Sequence, residues 1–138
     1  MFNEGPIPEE VIMEIIKASQ TGIGAQTFFI GRVRPDKKCN STVESIEFTA
    51  QKEIAENTAK DIISKSKEKY GILGAEIRHS LGKVNAGNCC FLVTVYGKHR
   101  KESFQALEFI VNEVKSRCPI FGKENLNNGS IKWKENRK

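Results

Sequence analysis

The feature that most constrains the fold is an apolar run at residues 89–96, which reads CCFLVTVY. A run of this kind is typical of a central strand that is covered on both faces. Residues 75–81, AEIRHSL, alternate between apolar and polar side chains, as a strand with one buried face does. Because only a short turn, KVNAGN, separates the two segments, they are expected to pair antiparallel. The pair predicts an α+β fold, with a mainly antiparallel sheet packed with helices, rather than a doubly wound sheet.

The rest of the chain contains three amphipathic segments and several shorter strand-like ones. Apolar residues recur at intervals of three and four in the helical segments, while Pro8 and Gly71 suit a helix start and a helix end. Helices are predicted at residues 8–20, 50–70 and 101–117. Further strands are predicted at residues 24–33, 43–48 and 131–134. Residues 34–42 and 118–130 are predicted to be loops, the first of them exposed and mobile.

The length of 138 residues predicts one domain that spans residues 1–138. No apolar run approaches the roughly 18 residues that a membrane span requires. The N-terminal segment carries acidic residues where a signal peptide carries basic ones. The protein is therefore expected to be cytoplasmic and without a membrane partner.

The four cysteines show no spacing that predicts a metal site. They are Cys39, Cys89, Cys90 and Cys118, and no pair of them forms a C-x-x-C motif. Neighbouring residues 89 and 90 would also point to opposite faces of one strand. Reduced structural thiols are therefore favoured over a disulfide framework or a zinc site.

The formal net charge of +5 indicates an anionic partner. Charge alone leaves open a nucleic acid, a phosphorylated small molecule and an acidic protein. The basic residues are spread along the chain and aromatic residues do not interleave with them, which argues against a nucleic-acid module. No acidic pair suits glycoside hydrolysis, no glycine-rich run suits a nucleotide phosphate loop, and no Ser-His-Asp order is legible.

Five cationic residues are candidates for an anion site: Arg34, His99, Arg100, Lys115 and Lys123. Arg34 closes the first long strand, and His99 and Arg100 open the last helix, where free backbone N–H groups and the helix dipole favour an anion. At about 100° per residue, Lys115 falls beside the apolar sector of that helix. Its amine therefore either extends to water or takes part in a functional site. A solvated basic turn at residues 99 and 100 is the alternative.

His79 falls on the apolar side of its strand. A core histidine with satisfied hydrogen bonds is favoured there over a ligand.

In order along the chain, several segments resemble the large catalytic subunit of molybdopterin synthase. The most specific are GRVR at 31–34, HRKESF at 99–104 and KSRCPI at 115–120, and the resemblance covers residues 24–134. It implies an α/β hammerhead fold and a homodimer within a heterotetramer. Each end would bind a small ubiquitin-like sulfur-carrier subunit with a C-terminal Gly-Gly thiocarboxylate. The implied reaction moves two sulfurs to cyclic pyranopterin monophosphate, which opens its cyclic phosphate and forms the molybdopterin dithiolene. No cofactor, metal or cysteine nucleophile is then expected, because sulfur arrives on the partner.

The resemblance also implies roles for particular residues. Phe29, Arg34, His99 and Arg100 are expected to bind the pterin and its phosphate. Lys115 matches a catalytic lysine, with a role in proton transfer or in stabilising the acyl intermediate.

The second catalytic lysine of the family does not match directly. An ungapped match places Gly122 on that lysine, and Lys123 stands one residue later. Because glycine makes a loop permissive, Lys123 is expected to reach the same point and act as the second catalytic lysine. The alternative is a non-catalytic, partner-binding homologue that has lost turnover through Gly122.

Overall fold

The computed structural model describes residues 1–18, 20–38 and 40–135. Within these ranges the chain forms eight strands and three helices. The helices are α1 (Glu9–Lys17), α2 (Lys52–Tyr70) and α3 (Arg100–Arg117). The strands are β1 (Phe2–Glu4), β2 (Ala25–Arg32), β3 (Lys37–Lys38), β4 (Ser41–Ala50), β5 (Gly74–Asn85), β6 (Cys89–Gly97), β7 (Ile120–Leu126) and β8 (Ile131–Trp133).

The strands form an open sheet in the order β2-β6-β5-β4-β7-β8, and every neighbouring pair along it is antiparallel. β1 adds to β5 in parallel, and β3 forms a small hairpin with β4. The expected α+β class and the antiparallel pairing of β5 with β6 are confirmed.

β5 is long because it changes partner along its length. It pairs with β6 up to His79 and with β4 from Gly82 onward. Gly82 has a φ of +77°, which side chains with a Cβ rarely adopt, so glycine allows the strand to bend between its two partners.

β6 lies at the centre of the core, as its apolar sequence predicts. Phe91, Val93 and Val95 are buried in the main core, which α2 and α3 help to form. On the opposite face, Leu92 packs with Ile15 of α1. Both faces of β6 are therefore covered, and its apolar run contributes to two hydrophobic clusters.

The helix bounds agree with the periodicity to within three residues. α2 ends at Gly71, whose φ of +70° places it in the left-handed region that favours glycine. At the start of α3, the Glu102 carboxylate accepts a hydrogen bond from the backbone N–H of His99. Ile16, which shares the predicted apolar face of α1, is instead 45% exposed.

The prediction of a loop at 118–130 is wrong, because β7 occupies residues 120–126 in the interior of the sheet, between β4 and β8. Its inward positions include Gly122 and Glu124, which do not have the apolar character that marks a buried strand face. Glu124 is 3% exposed, and its Oε1 lies 2.6 Å from the Lys38 Nζ. The loop at 34–42 also differs from its prediction, since β3 pairs with β4 there.

Two further findings concern the sequence-based expectations. Among the residues that the structure describes, no helix is both long and apolar enough to span a membrane. Cys89, Cys90 and Cys118 are buried free thiols, and Cys39 lies outside the described residues.

Candidate active site

A cleft of about 980 Å³ opens where the C-terminal end of α3 meets the ends of several strands. One wall consists of α3 and the segment that leads into β7, and the other includes the end of β2 and the residues after it. His79 and Phe91 contribute apolar ring surface, and Lys134, just after β8, completes the lining. The cleft is therefore partly aromatic and carries several cationic groups.

Lys115 lies in this cleft and is half-buried. Its Nζ is 5.8 Å from the centre of the Phe91 ring, in a cation–π arrangement. Burial lowers the pKa of the Lys115 amine, and the positive charge of Lys134 lowers it further, while Cys90 acts in the opposite direction. At a given pH, a larger fraction of the Lys115 amine is therefore deprotonated than for a lysine in water, which suits a group that exchanges protons.

Phe29 and Arg34, two of the predicted substrate-binding residues, also line the cleft. The Phe29 ring packs edge-on against Phe91, with 5.5 Å between ring centres. The Arg34 Nε lies 3.2 Å from the Asp36 Oδ1, and the Arg34 side chain is 64% exposed at the cleft mouth. A solvent-exposed pair of this kind is weak, so an incoming phosphate could replace Asp36 as the partner of Arg34.

His99 and Arg100 do not line the cleft of their own chain. They are exposed at the start of α3, whereas Lys115 is near its end. A rise of 1.5 Å per residue separates Arg100 from Lys115 by about 22 Å along the helix. The structure therefore does not bring the five predicted cationic residues together within one chain.

Lys123 is also outside the cleft lining. It lies on β7 directly opposite Glu47 of β4, and its Nζ is 3.2 Å from the Glu47 Oε2. Neighbouring residues of a strand point to opposite faces, so Gly122 faces the cleft and Lys123 faces away. The argument that a slack loop lets Lys123 reach the position of residue 122 is therefore wrong, since the segment is a paired strand.

Lys134 and Glu124 are charged cleft residues that were not among the predicted site residues. Lys134 is preceded by the strand IKW, and its charge reaches Lys115, His79 and Cys90. Glu124 lines the cleft from β7. The alternation of IKWK could have indicated that Lys132 and Lys134 share a face, but not that this face meets the cleft.

His79 fits the expected core histidine and also lines the cleft. Its Nδ1 is 2.8 Å from the Ser80 carbonyl oxygen, and its ring packs against Phe48 and Phe91. Burial lowers the pKa of His79 to about 4, and the charges of Lys115 and Lys134 act in the same direction. The imidazole is consequently neutral at pH 7.

Cys90, the neighbouring thiol, is held in its protonated form. Burial raises the pKa of Cys90 to about 11. Because the thiolate is the reactive form of cysteine, this residue is a poor nucleophile near neutral pH. Within the ranges that the structure describes, no group of three or more His, Cys, Asp or Glu side chains is arranged to hold a metal ion.

Comparison with known proteins identifies the family. The family described as MoaE protein matches residues 3–117. The chain belongs to this family. A molybdopterin synthase catalytic subunit of Thermoplasma volcanium is 34% identical over 110 residues, which cover 80% of each chain. One of Pyrococcus abyssi is 33% identical over 130 residues, which cover 93% of this chain and 86% of the relative.

Solved structures agree with this assignment. Molybdopterin synthase from Staphylococcus aureus superposes with a TM-score of 0.86 at 27% identity, over 98% of this chain and 96% of that one. A complex of subunits 1 and 2 of molybdopterin-converting factor from Helicobacter pylori superposes with a TM-score of 0.81 at 23% identity, over 99% of this chain and 90% of that one, and so supports the fold. The family expected from the sequence is confirmed, and with it the expectation of a molybdopterin synthase catalytic subunit, an enzyme.

Proposed function

We propose that this MoaE-family chain transfers sulfur to cyclic pyranopterin monophosphate, taking it from the C-terminal thiocarboxylate of a small ubiquitin-like subunit. Two transfers would open the cyclic phosphate and form the dithiolene of molybdopterin, a step of molybdenum cofactor biosynthesis. The chain would act in the cytoplasm, with no cofactor of its own.

The observation that carries this proposal is the environment of Lys115. Its side chain is half-buried in a cleft of about 980 Å³, a volume typical of small-molecule sites, and burial lowers the pKa of its amine. Such a lysine can move a proton or stabilise negative charge on an acyl intermediate. Cys90 is kept as a thiol in the same cleft, which agrees with a mechanism in which the sulfur comes from a partner.

The remaining lining suits a phosphorylated, planar substrate. Phe29 and Phe91 offer aromatic edges and faces beside the cleft, where a pterin ring can pack. Arg34 at the mouth presents a fork of N–H donors that matches a phosphate. We assign Arg34 to the phosphate and Phe29 to the pterin.

His99 and Arg100 take part in this proposal through a homodimer. Because they lie about 22 Å from Lys115 along α3, they cannot touch a small substrate bound beside Lys115 of the same chain. A second copy of the chain could bring its own pair to the cleft. We therefore propose a homodimer, within a heterotetramer that includes two small subunits, in which the pair acts on the partner's substrate.

The test is to mix the purified chain with its small subunit in thiocarboxylate form and with cyclic pyranopterin monophosphate. Conversion to molybdopterin is followed by the fluorescence of the oxidised product. Product above a control with the carboxylate form of the small subunit supports the proposal. Complex formation in gel filtration without product would instead favour a partner-binding homologue that lost turnover through Gly122.

A further inference from the structure

We propose that Lys134 supplies the second amine of this cleft, in the space over Gly122 where a side chain at position 122 would project. This inference rests on the proposed function for its chemistry, although not for its geometry. The match to the family ends at residue 117, so it includes neither position.

The backbone places Lys134 beside Gly122. The Lys134 N–H donates a hydrogen bond to the Gly122 carbonyl oxygen at 2.8 Å. A Cβ built on Gly122 would lie 3.4 Å from the Lys134 Cβ. Two Cβ positions this close belong to side chains on the same face, and both residues line the cleft.

Glycine at 122 leaves room for this arrangement. A Cβ at this position would lie 3.0 Å from the Ile46 Cγ2 and 3.3 Å from the Phe48 Cε1, and both neighbours are buried. These contacts are tighter than ordinary van der Waals separations. A side chain at 122 would therefore compete with the core for space, whereas one from position 134 enters from the open side.

The electrostatics agree with an amine inside the cleft. The charge of Lys134 lowers the pKa of Lys115 on α3, of His79 on β5 and of Cys90 on β6. Its charge therefore acts on three groups on three different elements, all of which line the same cleft as Lys134. Lys123, by contrast, is paired with Glu47 and does not line the cleft.

Lys134 would act as a catalytic cation that binds an anionic oxygen of the reactants next to Lys115. The phosphate of the pterin and the C-terminal thiocarboxylate of the small subunit each present an anionic group with an oxygen that accepts a hydrogen bond. Lys134 is exposed, and a hydrogen bond from its ammonium to either anionic group is charge-assisted and therefore stronger than one between neutral groups.

The first measurement compares Lys134→Gln with Lys132→Gln, a matched change of an exposed lysine on the same segment that does not line the cleft. We expect Lys134→Gln to lower kcat/KM by roughly 100-fold, the lower end of what the loss of one charge-stabilising donor costs, and Lys132→Gln to retain activity. Lys134→Arg should recover part of the loss. A rise in KM for the pterin would mean that the amine binds the phosphate. A rise in KM for the small subunit would mean that it binds the C-terminal thiocarboxylate of that subunit.

Lys123→Gln tests the alternative that Lys123, rather than Lys134, supplies the second amine. A loss confined to Lys123→Gln, with Lys134→Gln close to the parent, would overturn the proposal. Equal activity of the parent and the Lys134→Gln variant would overturn it as well.

A second measurement does not depend on turnover, so it separates this inference from the proposed function. The rate of Lys115 acetylation is followed against pH by mass spectrometry in the parent and in Lys134→Gln. The other charged or titratable side chains of the cleft are Arg32, Arg34, Asp36, His79, Cys90, Arg117, Cys118 and Glu124, and they are the same in both proteins. We expect the pKa of Lys115 to rise when the like charge is removed. An unchanged pKa would show that the Lys134 amine does not face the cleft, even if the parent makes product.

Discussion

Lys115 is half-buried between the apolar edge of α3 and the open cleft, and this position determines what its substitution should do. We expect Lys115→Ala to abolish product formation while leaving the fold intact. Only the aliphatic part of the side chain contacts the edge of the core, and the amine lies in the cleft beside the Phe91 ring. Activity is measured with the thiocarboxylate assay, and folding by circular dichroism. Lys60→Ala, an exposed lysine of α2, is the control. Full activity of Lys115→Ala would contradict the assigned role.

His79 should make the protein sensitive to acid. Its pKa is lowered to about 4, whereas the unfolded imidazole titrates near 6.5, so the unfolded chain binds a proton over a range where the folded one does not. The free energy of unfolding should therefore fall as pH drops from about 6.5 to about 4, by up to about 3 kcal/mol. Urea unfolding at several pH values measures this slope. His79→Gln should reduce it, and an undiminished slope would assign the acid sensitivity to other groups.

At the scale of elements, β7 is held by close packing at Gly122. We expect Gly122→Ala to destabilise the protein by about 1–3 kcal/mol, because its Cβ would press on Ile46 and Phe48. Gly22→Ala is the matched control, since a Cβ at that position meets nothing within 4 Å. Denaturant unfolding of the two variants compares them directly. Equal stability of both would show that β4 gives way to the extra methyl group.

The elements that could be predicted from sequence are those with a single clear period. The unbroken apolar run of β6 and the three-and-four spacing of α2 each indicate one structure, and both are observed. β7 was not predicted because two of its buried positions hold Gly122 and Glu124. Its buried and exposed residues therefore do not alternate between apolar and polar types. The burial of Glu124 depends on Lys38, a residue 86 positions away, and no local pattern reveals such a partner.

At the scale of the whole molecule, the candidate site could be predicted only in part. Phe29 lies within β2, Arg34 just after it and Lys115 in the last turn of α3, and the fold brings all three to one cleft. The roles of all the predicted site residues stay predictions, as does the single domain. Lys134 was missed because its place beside Gly122 depends on the pairing of β7 with β8.

The proposed homodimer leads to a complementation experiment. We expect a Lys115→Ala chain and a chain with both His99→Ala and Arg100→Ala to be nearly inactive alone. Co-expression should restore about a quarter of parental activity, because half of the dimers are mixed and a two-fold symmetric mixed dimer retains one complete cleft. No recovery, with mixed dimers verified by tagged purification, would mean that the pair does not act across the interface.

The pairing of β4 with β7 also bears on how the protein folds. Phe48 and Gly122 are partners in this pair although they stand 74 positions apart, counting from 48 to 122. Contacts between such distant residues form slowly, because the intervening chain loses conformational entropy before they are made. The pairing of β5 with β6 spans a much shorter separation, since its innermost partners, His79 and Phe91, stand 12 positions apart, and it should form earlier. During refolding, the cleft should therefore assemble late, after most of the helix and hairpin structure is already present.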